Sequence, residues 1–119
     1  MDRQRFQELV EQAVAALPSF FQEKMENIAI VVEDRPASDV AEKYPGQMLL
    51  GLYRGVPLPK RSVWSLHPYP DVISIYQHNI ERICRTEREI VQQVRETVMH
   101  EIGHYFGMDE QQLRELGLG

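Results

Sequence analysis

The chain contains little cysteine, and this shortage excludes one class of small proteins. Its single cysteine, Cys84, cannot form a disulfide within the 119 residues, so a disulfide-stabilised scaffold of the secreted type is excluded. Long apolar runs are also missing. The N-terminal segment is interrupted by Glu8, Glu11 and Gln12, which breaks the apolar region that a secretory signal requires. We therefore expect a cytoplasmic protein with no membrane partner.

Positive charge is scarce as well. The 13 Lys and Arg residues are outnumbered by 18 Asp and Glu, which gives a net charge of −5 and a pI near 5.3. Because such a chain repels phosphate backbones, and its basic residues are scattered, a nucleic-acid partner is not expected. The sequence also has no glycine-rich phosphate loop and no G-x-S-x-G nucleophile elbow, so neither of those two chemistries is indicated.

What is present is an ordinary globular composition. With 43% hydrophobic and 26% charged residues, the 119 residues are expected to form one domain, 1–119, around a single core. Apolar residues recur at helical spacing from Phe6 to Leu17, and Pro18 ends that helix. Three runs rich in β-branched and aromatic residues predict strands at Ile28–Glu33, 48–53 and 72–76.

The longest predicted helix lies near the C-terminus. Thr86 and Glu89 form the pattern of a capping box, and the helical periodicity continues to about Phe106. Gly51, inside the second strand, predicts a bulge or the close approach of another backbone. Shorter helices are expected at 38–44, around Ile80, and at 110–116, with a long loop at 54–70.

Residues 100–110 carry the most specific pattern, H-E-x-x-H-x-x-G-x-x-E. On a helix, His100 and His104 are four residues apart and lie on the same face, so both imidazoles can reach one ion. Two neutral imidazoles suit a tetrahedral Zn²⁺ that leaves one position to water. The pattern is a zinc-hydrolase signature, and zinc is therefore the expected cofactor.

Glu101 is the expected catalytic residue. Zinc polarises a carbonyl group and lowers the pKa of its bound water towards 7. Glu101 would take a proton from that water and pass it to the leaving amine, which is the role of a general base and then of a general acid. The alternative is an exposed carboxylate on a solvated helix face, and the place of Glu101 between two histidines disfavours it.

The third protein ligand is sought beyond the helix, where the carboxylates are Asp109, Glu110 and Glu115. Gly107 can adopt the left-handed conformation that ends a helix and turns the chain back towards the ion. Asp109, with Gln112 three residues later, has the pattern of an N-cap and its partner, so backbone N–H groups are expected to occupy its carboxylate. Glu110 is then free to bind the ion, with Asp109 and Glu115 as the alternatives.

The sequence resembles the minimal bacterial zincin-like metallopeptidases, a family related in fold to the metzincins. The resemblance covers residues 17–18 at the end of the first helix, 49–58, 70–73 and 97–113, and the motif at 100–110 is its specific part. It implies an α+β fold in which a small sheet of three to four strands packs against an N-terminal helix and the long zinc helix. The family carries an acidic residue at the place of Glu110, so the resemblance supports a zinc site of His100, His104 and Glu110. The chain departs from the metzincins in having Glu rather than His at position 110.

Three functions compete at this point. The leading hypothesis is a zinc-dependent metallopeptidase that acts on peptides or unfolded proteins held in extended form against a sheet edge. The second is a zinc-stabilised module that binds peptides or proteins with little or no turnover, which the small size of the chain favours. The third is a metal-dependent nuclease. The nuclease is disfavoured because Glu110 stands where such motifs use a third histidine, and because the chain is acidic.

Overall fold

A computed structural model describes residues 1–55 and 71–115 of the chain. The elements in these two ranges form an α+β fold, as expected. None of the helices within them is both long enough and apolar enough to cross a membrane. The helices are α1 (Arg3–Ala15), α2 (Ser19–Lys24), α3 (Ser38–Lys43), α4 (Gln77–Ile83), α5 (Glu87–Tyr105) and α6 (Glu110–Glu115), with a 3-10 helix at Met25–Asn27. The strands are β1 (Ile28–Glu33), β2 (Gly51–Arg54) and β3 (Asp71–Tyr76).

The three strands form one sheet in the order β1-β3-β2. The central strand β3 pairs in parallel with β1 and antiparallel with β2. Helices α1 and α5 pack against each other, and α5 also contacts β2 and β3. In the described residues β2 therefore lies at an edge of the sheet, directly beside the helix that carries the histidines.

The core lies between this sheet and the two longest helices, α1 and α5. The apolar spacing in both sequences predicts these buried faces, and the structure confirms them. The central strand contributes Ile73 and Ile75, which are fully buried. The other large apolar side chains buried in the same cluster include Phe6, Leu9, Val10 and Ala13 of α1 and Ile90, Val94, Val98 and Ile102 of α5. Because α5 is anchored by this face, its flank is free to present polar groups.

Two local predictions differ from the structure. The second strand begins at Gly51 rather than at residue 48, because its partner β3 ends at Tyr76, opposite residue 50, and α4 begins at Gln77. The helix α2, Ser19–Lys24, is absent from the sequence prediction, which ended the helical region at Pro18. Most of the predicted loop 54–70 lies outside the described residues.

The backbone of β2 presents polar groups at its outer edge. The Tyr76 N–H donates to the Leu50 carbonyl at 3.0 Å, so residues 50 and 76 form a hydrogen-bonded antiparallel pair. Gly51 and Tyr53, which stand opposite Ile75 and Ile73, are then members of non-hydrogen-bonded pairs. Their N–H and C=O groups consequently point away from β3.

The start of α5 is fixed by the predicted N-cap. The Thr86 hydroxyl accepts from the Glu89 N–H at 3.1 Å, and the Glu89 carboxylate accepts from the Arg85 N–H at 2.5 Å. The carboxylate therefore bonds one residue before the N-cap, and not to the N-cap itself as in the standard capping box.

We expect Thr86→Ala to lower the free energy of unfolding by about 1 kcal/mol, because one backbone N–H at the start of α5 loses its acceptor. Urea denaturation of the metal-free protein measures this effect. The control is Arg88→Ala, an exposed position in the first turn of the same helix. An equal loss of stability in both variants would show that the cap contributes nothing specific.

Candidate metal centre

The C-terminal half of α5 brings the motif residues together on the flank of the core. Glu101 is 6% exposed, while the side chains of His100 and His104 are half-buried at 24% and 30% exposure. Ligand atoms of these three residues all lie within 4.8 Å of one another. The helical spacing therefore produces the cluster that the sequence predicts.

The Nε2 atoms of the two imidazoles face each other. Nε2 of His104 lies 3.2 Å from Nε2 of His100, and the ring centroids are 4.9 Å apart. On its other side, Nδ1 of His104 lies 3.1 Å from the Met108 carbonyl oxygen. A carbonyl oxygen can only accept, so this contact assigns the proton of the neutral ring to Nδ1 and leaves a lone pair on Nε2. Histidines that bind metals are commonly oriented by such a second hydrogen bond.

Glu110, at the start of α6, completes a triangle with the two histidines. Its Oε1 lies 3.0 Å from Nε2 of His104 and 3.2 Å from Nε2 of His100. With the ring neutral, the lone pair on His104 Nε2 would face a carboxylate oxygen, and a proton or a metal cation between the two atoms makes this arrangement attractive. Three ligand atoms around a tetrahedral zinc stand roughly 3.3 Å apart, since each is about 2.0–2.1 Å from the ion. The observed separations and the donor set both fit such an ion.

Glu101 has a different environment from Glu110. The pKa of the Glu101 carboxyl is raised to about 7, and burial is the largest cause. The nearby His100 and a hydrogen bond from the Tyr53 backbone N–H act in the opposite direction and lower the pKa. Its Oε2 atom is buried and has no hydrogen-bond partner among the described residues. One oxygen is therefore held by the edge strand, and the other remains available as a proton acceptor beside the histidines.

The other two candidate ligands have other contacts. Asp109 Oδ1 accepts from the Gln112 N–H at 2.8 Å, and the Asp109 N–H donates to Gln112 Oε1 at 2.9 Å. The predicted capping box at Asp109 is thus confirmed. Glu115, at the end of α6, accepts from Gln111 at 3.4 Å and does not line the cleft beside the histidines.

The turn between α5 and α6 delivers Glu110 to the histidines. Gly107 has φ of 81°, the left-handed value that its place after the helix predicts. Its N–H donates to the His104 carbonyl at 2.8 Å, and the Met108 N–H donates to the Gly103 carbonyl at 3.0 Å. These two bonds form a Schellman motif, which reverses the chain within a few residues.

Sequence reasoning missed one group of the site, the Tyr53 backbone N–H. Every non-proline residue has a backbone N–H, so residue type cannot indicate which N–H takes part in a site. The only indication in the sequence was indirect. Gly51 predicts a bulge or the close approach of another backbone, and the structure shows a close approach. A Cβ atom at Gly51 would lie 3.0 Å from the Ser74 carbonyl oxygen and 2.6 Å from Thr97 Cγ2, a side-chain atom of α5. This close packing of β2 on α5 is what lets the Tyr53 N–H reach Glu101.

Substituting the two adjacent carboxylates separates their roles. We expect Glu110→Ala to weaken zinc binding by more than about 100-fold, because loss of a supporting residue outside the ligand set alone costs 10–100-fold. Asp109→Ala is expected to lower the free energy of unfolding by about 1 kcal/mol through loss of the cap. It should change zinc affinity by less than about tenfold, since its carboxylate accepts from the Gln112 N–H and is not expected to bind the ion.

The measurement is competition for zinc against a chromophoric chelator. Urea denaturation of both variants in the metal-free state provides the stability comparison. Full zinc affinity in Glu110→Ala combined with its loss in Asp109→Ala would reverse the assignment.

Comparisons with known proteins agree with this fold. A family model described as a zincin-like metallopeptidase matches residues 25–119. Among solved structures, the chain is similar to a conserved hypothetical protein from Thermo thermophilus, with 22% sequence identity and a TM-score of 0.56 over 98% of this chain and 97% of that chain. That likeness shows a shared fold. No curated protein matches the sequence.

Proposed function

This chain belongs to the zincin-like metallopeptidase family, and from that premise we propose that it is a zinc-dependent peptidase. His100, His104 and Glu110 hold the metal ion. Glu101 is the general base. The observation that carries the proposal is the convergence of three ligand atoms, with separations of 3.0 to 3.2 Å, beside a buried carboxylate oxygen that has no partner among the described residues.

The ion would supply two effects that the side chains cannot: it would polarise the carbonyl of the scissile bond and lower the pKa of a water molecule towards 7. The protein itself moves the proton. Glu101 Oε2 accepts a proton from the attacking water as the water oxygen bonds to the carbonyl carbon. Glu101 then donates that proton to the leaving nitrogen as the C–N bond breaks. The Tyr53 N–H holds the carboxylate in place during both transfers.

The cleft beside the histidines supports a peptide substrate. Its volume is about 850 Å³, and it is lined by β2, by the polar flank of α5 and by the turn that leads to Glu110. The Gly51 N–H and C=O point outward from the edge of the sheet. An extended peptide can bond to these groups as an added strand, which would place a backbone carbonyl near the histidines. Peptides and unfolded segments can adopt this extended form.

A peptide-library cleavage assay tests the proposed activity. Protein reconstituted with one zinc per chain should release new amino termini from the library, and removal of zinc with a chelator should stop the release. Restoring zinc should restore cleavage. A protein that binds one zinc per chain but cleaves no member of the library would instead be a zinc-stabilised binding module, and the peptidase proposal would be wrong.

A further inference from the structure

Helix α6 carries the third proposed ligand but has few contacts that fix its position. It contains only six residues, and Leu113 is the one buried residue among them. Glu110 itself is 57% exposed. The distance from Glu110 to the histidines therefore depends on how Leu113 packs against the rest of the molecule.

Leu113 packs against α5 at Gly103, the residue that precedes His104. Leu113 is fully buried. A Cβ atom built at Gly103 would overlap Leu113 Cδ2 and would lie 3.4 Å from its Cγ and 3.7 Å from its Cδ1. All three of the nearest atoms belong to this one leucine. Leu113 thus occupies the space that a side chain at position 103 would otherwise fill.

The backbone of Gly103 does not itself require glycine. Among the described residues, positive φ values occur only at Gly46 and Gly107, and Gly103 has ordinary helical geometry within α5. Glycine inside a helix is less favourable than alanine. Because the conformation gives no reason for that cost, the reason is the close packing of α6.

We propose that Gly103 and Leu113 are positioning residues for the metal centre, which rests on the proposed role of Glu110. Leu113 lies three residues after Glu110, so the two side chains project from the same side of α6 towards α5. The Schellman turn and the Asp109 cap fix where α6 begins. The contact of Leu113 with Gly103 fixes the inclination of α6 relative to α5. This inclination sets the separation of 3.0 Å between Glu110 Oε1 and His104 Nε2.

The test is the zinc affinity of Gly103→Ala, measured by chelator competition without any substrate. The added methyl group pushes Leu113 and α6 outward, so we expect zinc to bind about 10 to 100 times more weakly, the range for loss of a supporting residue. Circular dichroism should show α5 intact. The metal-free protein should unfold at a somewhat lower temperature than the wild type, because displacing the fully buried Leu113 loses more packing stability than alanine gains for the helix. Wild-type zinc affinity in this variant would overturn the proposal.

A second variant separates positioning from general damage. Leu113→Val removes the δ carbons, one of which the new methyl would overlap, and keeps an apolar side chain at the contact. Gly103→Ala combined with Leu113→Val should recover most of the zinc affinity. Failure to recover it, with circular dichroism that shows loss of α5 in Gly103→Ala, would mean that Gly103→Ala acts by disrupting the fold and would overturn the proposal.

A double-mutant cycle shows whether the effect acts through Glu110. In a Glu110→Ala background, Gly103→Ala should no longer change zinc affinity, because the group that it displaces is absent. An equal loss in both backgrounds would overturn the proposal. A protein that binds zinc as described but cleaves no peptide would leave this inference standing and would contradict only the peptidase function.

Discussion

His104→Ala is expected to abolish stoichiometric zinc binding at micromolar protein concentrations, and His100→Ala is expected to do the same. Either change leaves two of the three proposed protein ligands, so water would have to complete the coordination. His104→Ala also removes the Nδ1 group that lies 3.1 Å from the Met108 carbonyl oxygen, and with it a contact between α5 and the turn. Metal analysis of protein purified without added metal measures the effect.

Both variants should remain folded without metal. The side chains that anchor α5, including Val94, Val98 and Ile102, are fully buried in the core and do not depend on the imidazoles. Far-UV circular dichroism should therefore match that of the metal-free wild type. His78→Ala is a matched control, because it replaces a histidine by alanine on α4, outside the cleft. This variant should bind one zinc per chain. Zinc retained by His104→Ala would contradict the site, and an unfolded metal-free protein would make the zinc structural.

Glu101→Gln is expected to reduce peptide hydrolysis by about 100-fold or more, the usual scale for loss of a general base. Glutamine has the same shape, and its carbonyl oxygen can still accept the hydrogen bond from the Tyr53 N–H. It cannot take up a proton at neutral pH, so proton transfer fails while the geometry is kept. Zinc content should stay at one per chain, because Glu101 is not assigned as a ligand.

The control for this change is Glu23→Gln, an exposed carboxylate on α2 outside the cleft. Its cleavage rate should equal that of the wild type. The assay compares initial rates on one cleavable peptide at matched zinc content. Hydrolysis by Glu101→Gln at the wild-type rate would show that another group activates the water.

The features predicted correctly from the sequence are those set by local spacing. The separation of His100 and His104 on one helix face follows from the helical repeat alone. The pairing of Asp109 with Gln112 follows from a capping pattern only four residues long, and it leaves Glu110 available to face the histidines. In each case the physical cause lies within one or two helical turns of the residue concerned.

The features that escaped sequence reasoning depend on distant residues. The delayed start of β2 follows from where its partner strand β3 ends, at Tyr76, and no local pattern around residue 48 encodes that end. The role of the Tyr53 N–H depends on the approach of β2 to α5. Because Gly103 has no side chain, α5 and α6 can pack closely at Leu113. Only the folded structure shows which residue fills that space.

Zinc titration of the chelated wild-type protein, with peptide cleavage followed at every addition, tests the central claim most directly. In this account the peptidase reaction takes place at the metal centre. Cleavage should therefore rise in proportion to bound zinc and level off at one zinc per chain. Glu101→Gln should bind the same single zinc while its cleavage stays near zero. Saturation of the wild type at one zinc without any cleavage, or cleavage that continues in the chelated protein, would contradict the account.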